Sequence, residues 1–270
     1  MEPKNLIINI SALVILIATV FMGCSNSTEP PQREWRLVWQ DEFDGAAGQL
    51  PDSAKWTYDI GTDWGNAQLE YDTDRPENVS LDGQGRLAIT ARQESYMGSA
   101  FTSARIKTQG LFEQAYGRFE ASIRLPWGPG IWPAFWLLGA NIDSVGWPEC
   151  GEIDIMESRG QTPNIVHGSL HGPGYSGGAA VTKSFGFQKS RFDLDFHVFA
   201  VEWGPDYIDF YVDETLYQEV KPEDVDGAWV YNHPFYIILN VAVGGNYVGW
   251  PVSTTPFPQT MLVDYVRVYE

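Results

Sequence analysis

Helical periodicity is nearly absent from this chain, while strand-length alternating runs separated by Gly, Pro, Asn and Asp recur throughout. They run from Arg86 to Arg92, Arg105 to Thr108, Gly117 to Leu125, Ala134 to Leu138, Glu152 to Glu157 and Ile165 to Leu170. Further runs span His197 to Trp203, Tyr207 to Val212, Tyr217 to Val220, Phe235 to Val243 and Met261 to Tyr269. Many short strands with turn chemistry between them predict a sandwich or barrel. No repeat period is visible, which argues against a propeller or solenoid. The only helical turn expected lies around Asp52 to Lys55, after Pro51. Trp203-Gly204-Pro205-Asp206-Tyr207 and Val212-Asp213-Glu214-Thr215-Leu216 read as hairpin connections.

One run carries an anomaly. Glu152-Ile153-Asp154-Ile155-Met156-Glu157 places three carboxylates within one strand-length stretch. Alternation puts Glu152 and Asp154 on one face, about 6.6 Å apart, and the two isoleucines on the other. Strict alternation would turn Glu157 toward the isoleucines, where an unpaired ionised group costs several kcal/mol. A β-bulge near Ile155-Met156 returns it to the acidic face, and such a bulge is expected here.

The segment before the strands concerns targeting. Lys4 precedes an apolar run from Leu6 to Phe21, short for a membrane span, which ends at Gly23-Cys24. The segment looks like a lipoprotein signal peptide over 1–23, with Cys24 lipidated and residues 24–34 a flexible tether. The remainder, 35–270, fits one domain. The expected location is the bacterial cell envelope, with the membrane reached only through Cys24, or the medium. Cys150 is the only cysteine of the domain, so no intramolecular disulfide can form. A net charge of −18 argues against nucleic acid. Eleven Trp, 13 Tyr and 14 Phe exceed the needs of a core this size and suggest stacking on neutral ligands such as sugars. A monomer is expected.

Several residues stand out around the acidic run. Trp132, Ala134 and Trp136 share a strand face, while Phe135 and Leu137 supply a core-like face, which favours Trp132 and Trp136 as walls for sugar rings. Arg105 lies opposite Ile106 in parity and so projects from the open face. The loop Trp64 to Tyr71, with Asn66, is dense in hydrogen-bonding side chains. His167 and His171 share a face but stand about 13 Å apart on an extended strand, too far for one zinc ion. A polar role near the cleft is expected, for His171 especially. On the last strand, parity places Asp264 among Leu262, Val266 and Val268, so it must be paired, hydrogen-bonded or bound to a cation. With no cationic partner readable, an all-oxygen calcium site is the expectation.

The acidic hexapeptide, preceded by Trp132-Pro133-Ala134-Phe135-Trp136-Leu137-Leu138-Gly139 and followed by His171-Gly172, resembles glycoside hydrolase family 16, nearest its bacterial laminarinases. The resemblance runs from about Trp39 to Tyr269. It implies an all-β jelly-roll sandwich of two antiparallel sheets with a concave substrate cleft, and retaining hydrolysis of β-1,3-glucan with no cofactor for catalysis. It implies Glu152 as nucleophile, Glu157 as general acid/base and Asp154 between them as the residue tuning the nucleophile. Trp132 and Trp136 would line the non-reducing side, and Asn66, Arg105 and His171 would contact the glucan. A structural calcium would be held by Asp264 and main-chain oxygens near Glu42 and Gly85. Gln68 and Glu70 depart from the family's Glu-Leu-Gln order, which touches fine subsite contacts. The alternatives are a mixed-linkage β-1,3-1,4-glucanase or other β-glycanase of the family, or a non-catalytic glucan-binding protein on the same scaffold.

Overall fold

Which faces of the strands are apolar decides how they stack. A computed structural model describes residues 34–270. The leader over 1–23, Cys24 and nearly all of the 24–34 tether lie outside the described residues. Along the chain the strands are β1 (Leu37–Asp41), β2 (Thr57–Asp59), β3 (Glu70–Asp72), β4 (Val79–Leu81), β5 (Leu87–Tyr96) and β6 (Ser99–Ser103). Next come β7 (Arg105–Lys107), β8 (Gly117–Arg124), β9 (Ile131–Gly139), β10 (Glu152–Ser158), β11 (Ile165–His171) and β12 (Val181–Gly186). The last are β13 (His197–Gly204), β14 (Tyr207–Val212), β15 (Thr215–Val220), β16 (Phe235–Val243) and β17 (Gln259–Tyr269). Among the described residues, no helix is long and apolar enough to cross a membrane.

Two sheets form the sandwich expected of a jelly roll. One runs β12-β11-β10-β9-β16-β7-β2, the other β15-β14-β13-β8-β17-β5-β6-β3, with β1 on β17 and β4 on β5. All pairings are antiparallel except β3 with β6, which run parallel, a departure from the all-antiparallel expectation. Both expected hairpins form, with Gly204 opposite Tyr207 and Val212 opposite Thr215. The segment at Asp52 to Lys55 makes a hydrogen-bonded turn rather than a helix, with Lys55 N and Trp56 N both donating to Asp52 O. A one-turn helix lies instead at Ile142–Val145.

The core fills the space between the sheets. Phe135, Leu137, Ile153, Ile155, Phe235, Ile237, Leu239 and Val241 meet Phe119, Ile123, Phe199, Val201, Phe210, Val263 and Val266 there, all essentially inaccessible. Each such side chain contributes about 1.5–3 kcal/mol by leaving water. Strand β16 is buried along its whole length. Its odd-numbered residues join the core, and Tyr236, Ile238, Asn240 and Ala242 lie under the outer face of the seven-stranded sheet. That outer face carries the acids.

Asp264 does not meet the expectation of burial. The β17–β8 register shifts between Val263 and Tyr265, so Met261 and Val263 before the shift, and Val266 and Val268 after it, all point inward. Asp264 sits at the irregularity and is exposed. Parity would turn Asp264 inward only on an uninterrupted strand, and β17 is interrupted there.

Beside the acidic strand, Gly139 ends β9 where the returning chain passes very close. A Cβ on Gly139 would lie 1.9 Å from the carbonyl oxygen of Cys150, and Gly139 N–H donates to Gly151 O at 3.1 Å. Backbone cannot yield as a flexible side chain would. Gly139→Ala should therefore destabilise by about 1–3 kcal/mol, lowering the melting temperature by roughly 2–12 °C. Calorimetry checks this, and an unchanged transition would show that the approach is looser than drawn.

Candidate active site

Strand β10 sets out the three carboxylates. Against β11, Glu152 lies opposite His171, Asp154 opposite Ser169 and Glu157 opposite His167, with a register shift between Asp154 and Glu157. Against β9, Asp154 pairs with Trp136, Met156 with Phe135 and Glu157 with Ala134. Ile155 is the extra residue. It and Met156 both turn into the core, at 1% and 0% exposure, so Glu157 regains the face of Glu152 and Asp154. The bulge expected from parity is present at the expected place.

Two of the three acids accept from an indole N–H. Trp132 Nε1 donates to Glu157 Oε1 at 2.8 Å. Trp147 Nε1 donates to Glu152 Oε2 at 2.9 Å. His171 brings Nε2 to 3.0 Å from Asp154 Oδ2 and 3.6 Å from Glu152 Oε1, in contact with the former but not aligned as a hydrogen bond. Gly177 N–H donates to His171 Nδ1 at 3.0 Å, and Tyr231 Oη to the His171 carbonyl at 2.9 Å. With Nδ1 accepting, the proton of the neutral ring sits on Nε2 and faces the carboxylates.

Crowding raises all three acids. Burial, then the charge of Asp154, pushes Glu152 up to about 8. Burial, then the charge of Glu157, holds Asp154 well above the usual carboxylate range. Burial also lifts Glu157 to about 7, opposed by the Trp132 hydrogen bond. Glu152 and Asp154 hydrogen-bond to one another, so the proton between them belongs to the pair. The site therefore keeps protons at a pH where free carboxyls have lost them.

The remaining candidates frame these acids. Trp136 is half-buried, donates through Nε1 to Asn240 Oδ1 at 2.8 Å, and carries the Arg105 guanidinium 4.7 Å from its ring centre. Arg105 also lies 5.4 Å from the Trp64 ring, and its Nε stands 2.9 Å from Asp59 Oδ2. Trp132 is more enclosed than an open wall, at 9% exposure, with Tyr247 4.9 Å away. Asn66 is exposed, and its carbonyl accepts Asn246 N–H at 2.8 Å. A Cβ on Gly245 would meet that carbonyl at 2.8 Å and Trp132 at 3.7 Å, so the Asn66 loop borders Trp132. Behind Arg105, Glu70 is buried, accepts Val243 N–H at 2.7 Å and is raised to about 7 by burial.

Trp147, Asn240, Trp64, Asp59 and Tyr247 belong to this surface and were not singled out from sequence. Asn240 left a trace, being the one polar residue in the apolar run Phe235 to Val243. Trp147 left none, because its place depends on how residues 140–151 fold back.

Two places could gather a cation. Ligand atoms of Glu152, Asp154 and His171 lie within 4.8 Å of one another, but His171 could ligate through Nε2 only by giving up its bond from Gly177. The set is built to share protons. At the other place, a Cβ on Gly85 would lie 3.6 Å from Asp44 Oδ1 and 4.0 Å from the Glu42 carbonyl. Arg267 holds the Glu42 carboxylate by two hydrogen bonds, at 2.7 and 2.8 Å, which leaves its carbonyl for this corner. Val263 pairs with Leu87, which brings Asp264 toward the start of β5 near Gly85. This oxygen-rich, exposed corner fits a hard cation.

A sandwich that gathers three carboxyls with raised pKa on one face, among tryptophans, is the arrangement of a polysaccharide-cleaving glycosidase. Residues 60–267 match the glycosyl hydrolases family 16 model, and the chain belongs to that family. It is 42% identical to a β-glucanase of Rhodothermus marinus, over 95% of this chain and 92% of that one. The laminarinase catalytic domain of Thermotoga maritima superposes with a TM-score of 0.83 at 45% identity, covering 88% of this chain and 99% of that one. The endo-β-1,3-glucanase of Pyrococcus furiosus gives 0.83 at 47% identity, covering 87% and 94%.

The raised carboxyls make a stability prediction. An acid whose folded pKa lies above its unfolded value binds its proton more tightly when folded, so the stability it contributes is present at low pH and lost as pH rises. For Glu157 that window runs from about 4.5 to about 7, and for Glu152 from about 4.5 to about 8. Glu157→Gln should melt near wild type at pH 4 and above it at pH 8. Equal melting at both pH values would contradict the crowding described.

Proposed function

We propose that the chain is an endo-β-1,3-glucanase acting on laminarin-type glucans by double displacement. The observation that carries the mechanism is the bulge at Ile155, which turns Glu157 to the face of Glu152 and Asp154. Retaining glycosidases need two carboxyl groups about 5–5.5 Å apart flanking the anomeric carbon.

Glu152 attacks the anomeric carbon once the shared proton rests on Asp154, and Trp147 N–H steadies the attacking carboxylate. Glu157 gives its proton to the leaving oxygen, then removes one from the water that releases the sugar. Its value of about 7 suits both steps near neutrality. Trp136 with Arg105, Trp132, Asn66 and Asn240 serves the non-reducing side, and His171 holds Asp154 and Glu152 in place. β-1,3-Glucan is favoured because the relatives in view are named laminarinases, β-glucanases and endo-β-1,3-glucanases. The domain works outside the cytoplasm, tethered through a lipid on Cys24 after removal of residues 1–23, a reading that rests on the Leu6 to Phe21 run and Gly23-Cys24.

Glu152→Gln should abolish reducing-sugar release from laminarin while oligosaccharide binding persists; turnover near wild type would remove Glu152 from its role. Because Glu157 must be protonated while Glu152 is ionised, the pH profile of kcat/KM should peak between about 7 and about 8 and fall on either side. Product analysis on laminarin, lichenan and agarose checks specificity, with laminarin cleaved fastest.

We also propose a structural calcium held by the main-chain oxygens of Glu42 and Gly85 with Asp264, joined by Asp44. It would tie the start of β5 to β17 and take no part in bond cleavage. At saturating ion such a site adds about 2.7 kcal/mol, so a chelator should lower the melting temperature by roughly 5–11 °C, and added calcium should restore it. No shift would dismiss the ion.

A further inference from the structure

Away from the catalytic strand, a second pair of buried acids lies under the non-reducing flank. Glu70 and Asp72 project from one face of β3, at 1% and 2% exposure. Neither takes part in the steps given above. Asp72 also bridges to Gly61, its N–H donating at 2.7 Å and its carbonyl accepting at 3.0 Å. That bridge joins the β2 edge of one sheet to the β3 edge of the other.

Each acid holds one part of the flank. Glu70 Oε2 accepts Val243 N–H at 2.7 Å, and Leu69 N–H donates to the Val243 carbonyl at 2.8 Å. This clasp fixes the chain just before Gly245, where a Cβ would lie 2.8 Å from the Asn66 carbonyl and 3.7 Å from Trp132. The Asp72 carboxyl faces the Trp64 N–H, short of an aligned hydrogen bond. The Trp64 ring in turn lies 5.4 Å from the Arg105 guanidinium, with Trp136 at 4.7 Å from the same group.

The charges here call for a proton. Arg105 on β7 acts on both acids, and Asp59 on β2 acts on Asp72. Asp59 meets Arg105 at 2.9 Å and Lys107 at 2.5 Å. Among the described residues, three carboxyls thus face two cations, and one proton balances the group. The hydroxyls nearby are Tyr58 on β2, beside Asp74, and Tyr236 on β16, beside Arg105 and Asp59; burial raises both, so they stay neutral. Burial also settles where the proton rests. It lifts Glu70 to about 7 and, with the charge of Glu70, holds Asp72 well above the usual carboxylate range.

We propose that Glu70 and Asp72 hold one proton between them and act through it as positioning residues for the glucan. With the proton present, Arg105 stays over Trp136 and the Asn66 loop keeps its place against Trp132. With it lost, the added negative charge draws the guanidinium toward β3 and away from the sugar. The inference rests on the roles given above to Arg105, Trp136 and Asn66. It concerns binding, and leaves bond cleavage to Glu152 and Glu157.

Two variants test it. Glu70→Gln keeps an acceptor for Val243 N–H but cannot ionise, and Asp72→Asn does the same beside Trp64. KM and kcat on a laminari-oligosaccharide are compared with wild type at pH 6 and pH 8.5, after melting curves confirm folding. All three proteins share the catalytic acids, so their titration cancels in the ratio of wild type to variant. The KM of wild type should rise relative to that of Glu70→Gln by roughly 3–10-fold between the two pH values, the effect of a binding-linked pKa change of about half to one unit. The kcat ratio should stay level, and Asp72→Asn should follow the same pattern. A KM ratio equal at both pH values would overturn the proposal, as would a kcat ratio that moves as far as the KM ratio. A wild-type KM that stays level from pH 6 to pH 8.5 would overturn it without either variant. Failure of the wild-type enzyme to cleave the oligosaccharide at all would instead overturn the parent reading, and this one with it.

Discussion

A carboxylate facing a hydrocarbon core without partners is among the most expensive arrangements a protein can hold. In this chain that cost is avoided by one inserted residue. Ile155 and Met156 both enter the core, and Glu157 comes back to the outer face with Trp132 donating to it. Much else in the site depends on this shift. Without it Glu157 would point away from Glu152 and Asp154, and Trp132 would lose its partner. Bulges beside active sites commonly re-aim a side chain, and here the re-aimed group is an acid.

Gathering three acids on one face has an electrostatic consequence that the chemistry can use. None of them can ionise at its ordinary pH, because each is buried and two feel a neighbouring acid's charge directly after burial. The fold does not relieve this by pairing them with lysine or arginine. It supplies neutral indole donors, Trp132 and Trp147, and an imidazole whose proton is directed by Gly177. Neutral donors steady a carboxylate without fixing its charge, so the proton can move between Glu152 and Asp154 and leave and rejoin Glu157. An ion pair would have pinned one charge state. Arg105 is instead set between Trp64 and Trp136 and bound to Asp59, and Arg159, stacked on Tyr247, reaches Glu157 through its charge alone.

The strands and the bulge were legible in the sequence because period-two alternation is a local signal, and Glu157 violated it visibly. Phe235 to Val243 and Tyr207 to Val212 were recovered to the residue. Short strands such as β2, β3 and β4 were missed, since three residues seldom establish a period; β7, equally short, was found in the run Arg105 to Thr108. The same parity argument misplaced Asp264, where a second irregularity carries no charge conflict to announce it. Val263 and Tyr265 on either side are ordinary strand residues, so nothing marks the break. Of the site, what lay on one strand was readable: the acids, the Trp132 and Trp136 face, Arg105 opposite Ile106. What depends on distant segments meeting was not, and Trp147 is the clearest case, reaching Glu152 only because Gly139 lets the chain return so closely.

With the bulge at Ile155 bringing them to one face, Glu152 and Glu157 are proposed to act as nucleophile and acid/base on one bond. Stereochemistry reports on this directly, since the separation of the two carboxyls distinguishes attack by a carboxylate from attack by a water held between two acids. Proton NMR of a laminari-oligosaccharide in the first minutes of hydrolysis shows which anomer of the new reducing end forms before mutarotation. The account predicts the β anomer first. Initial release of the α anomer would contradict it.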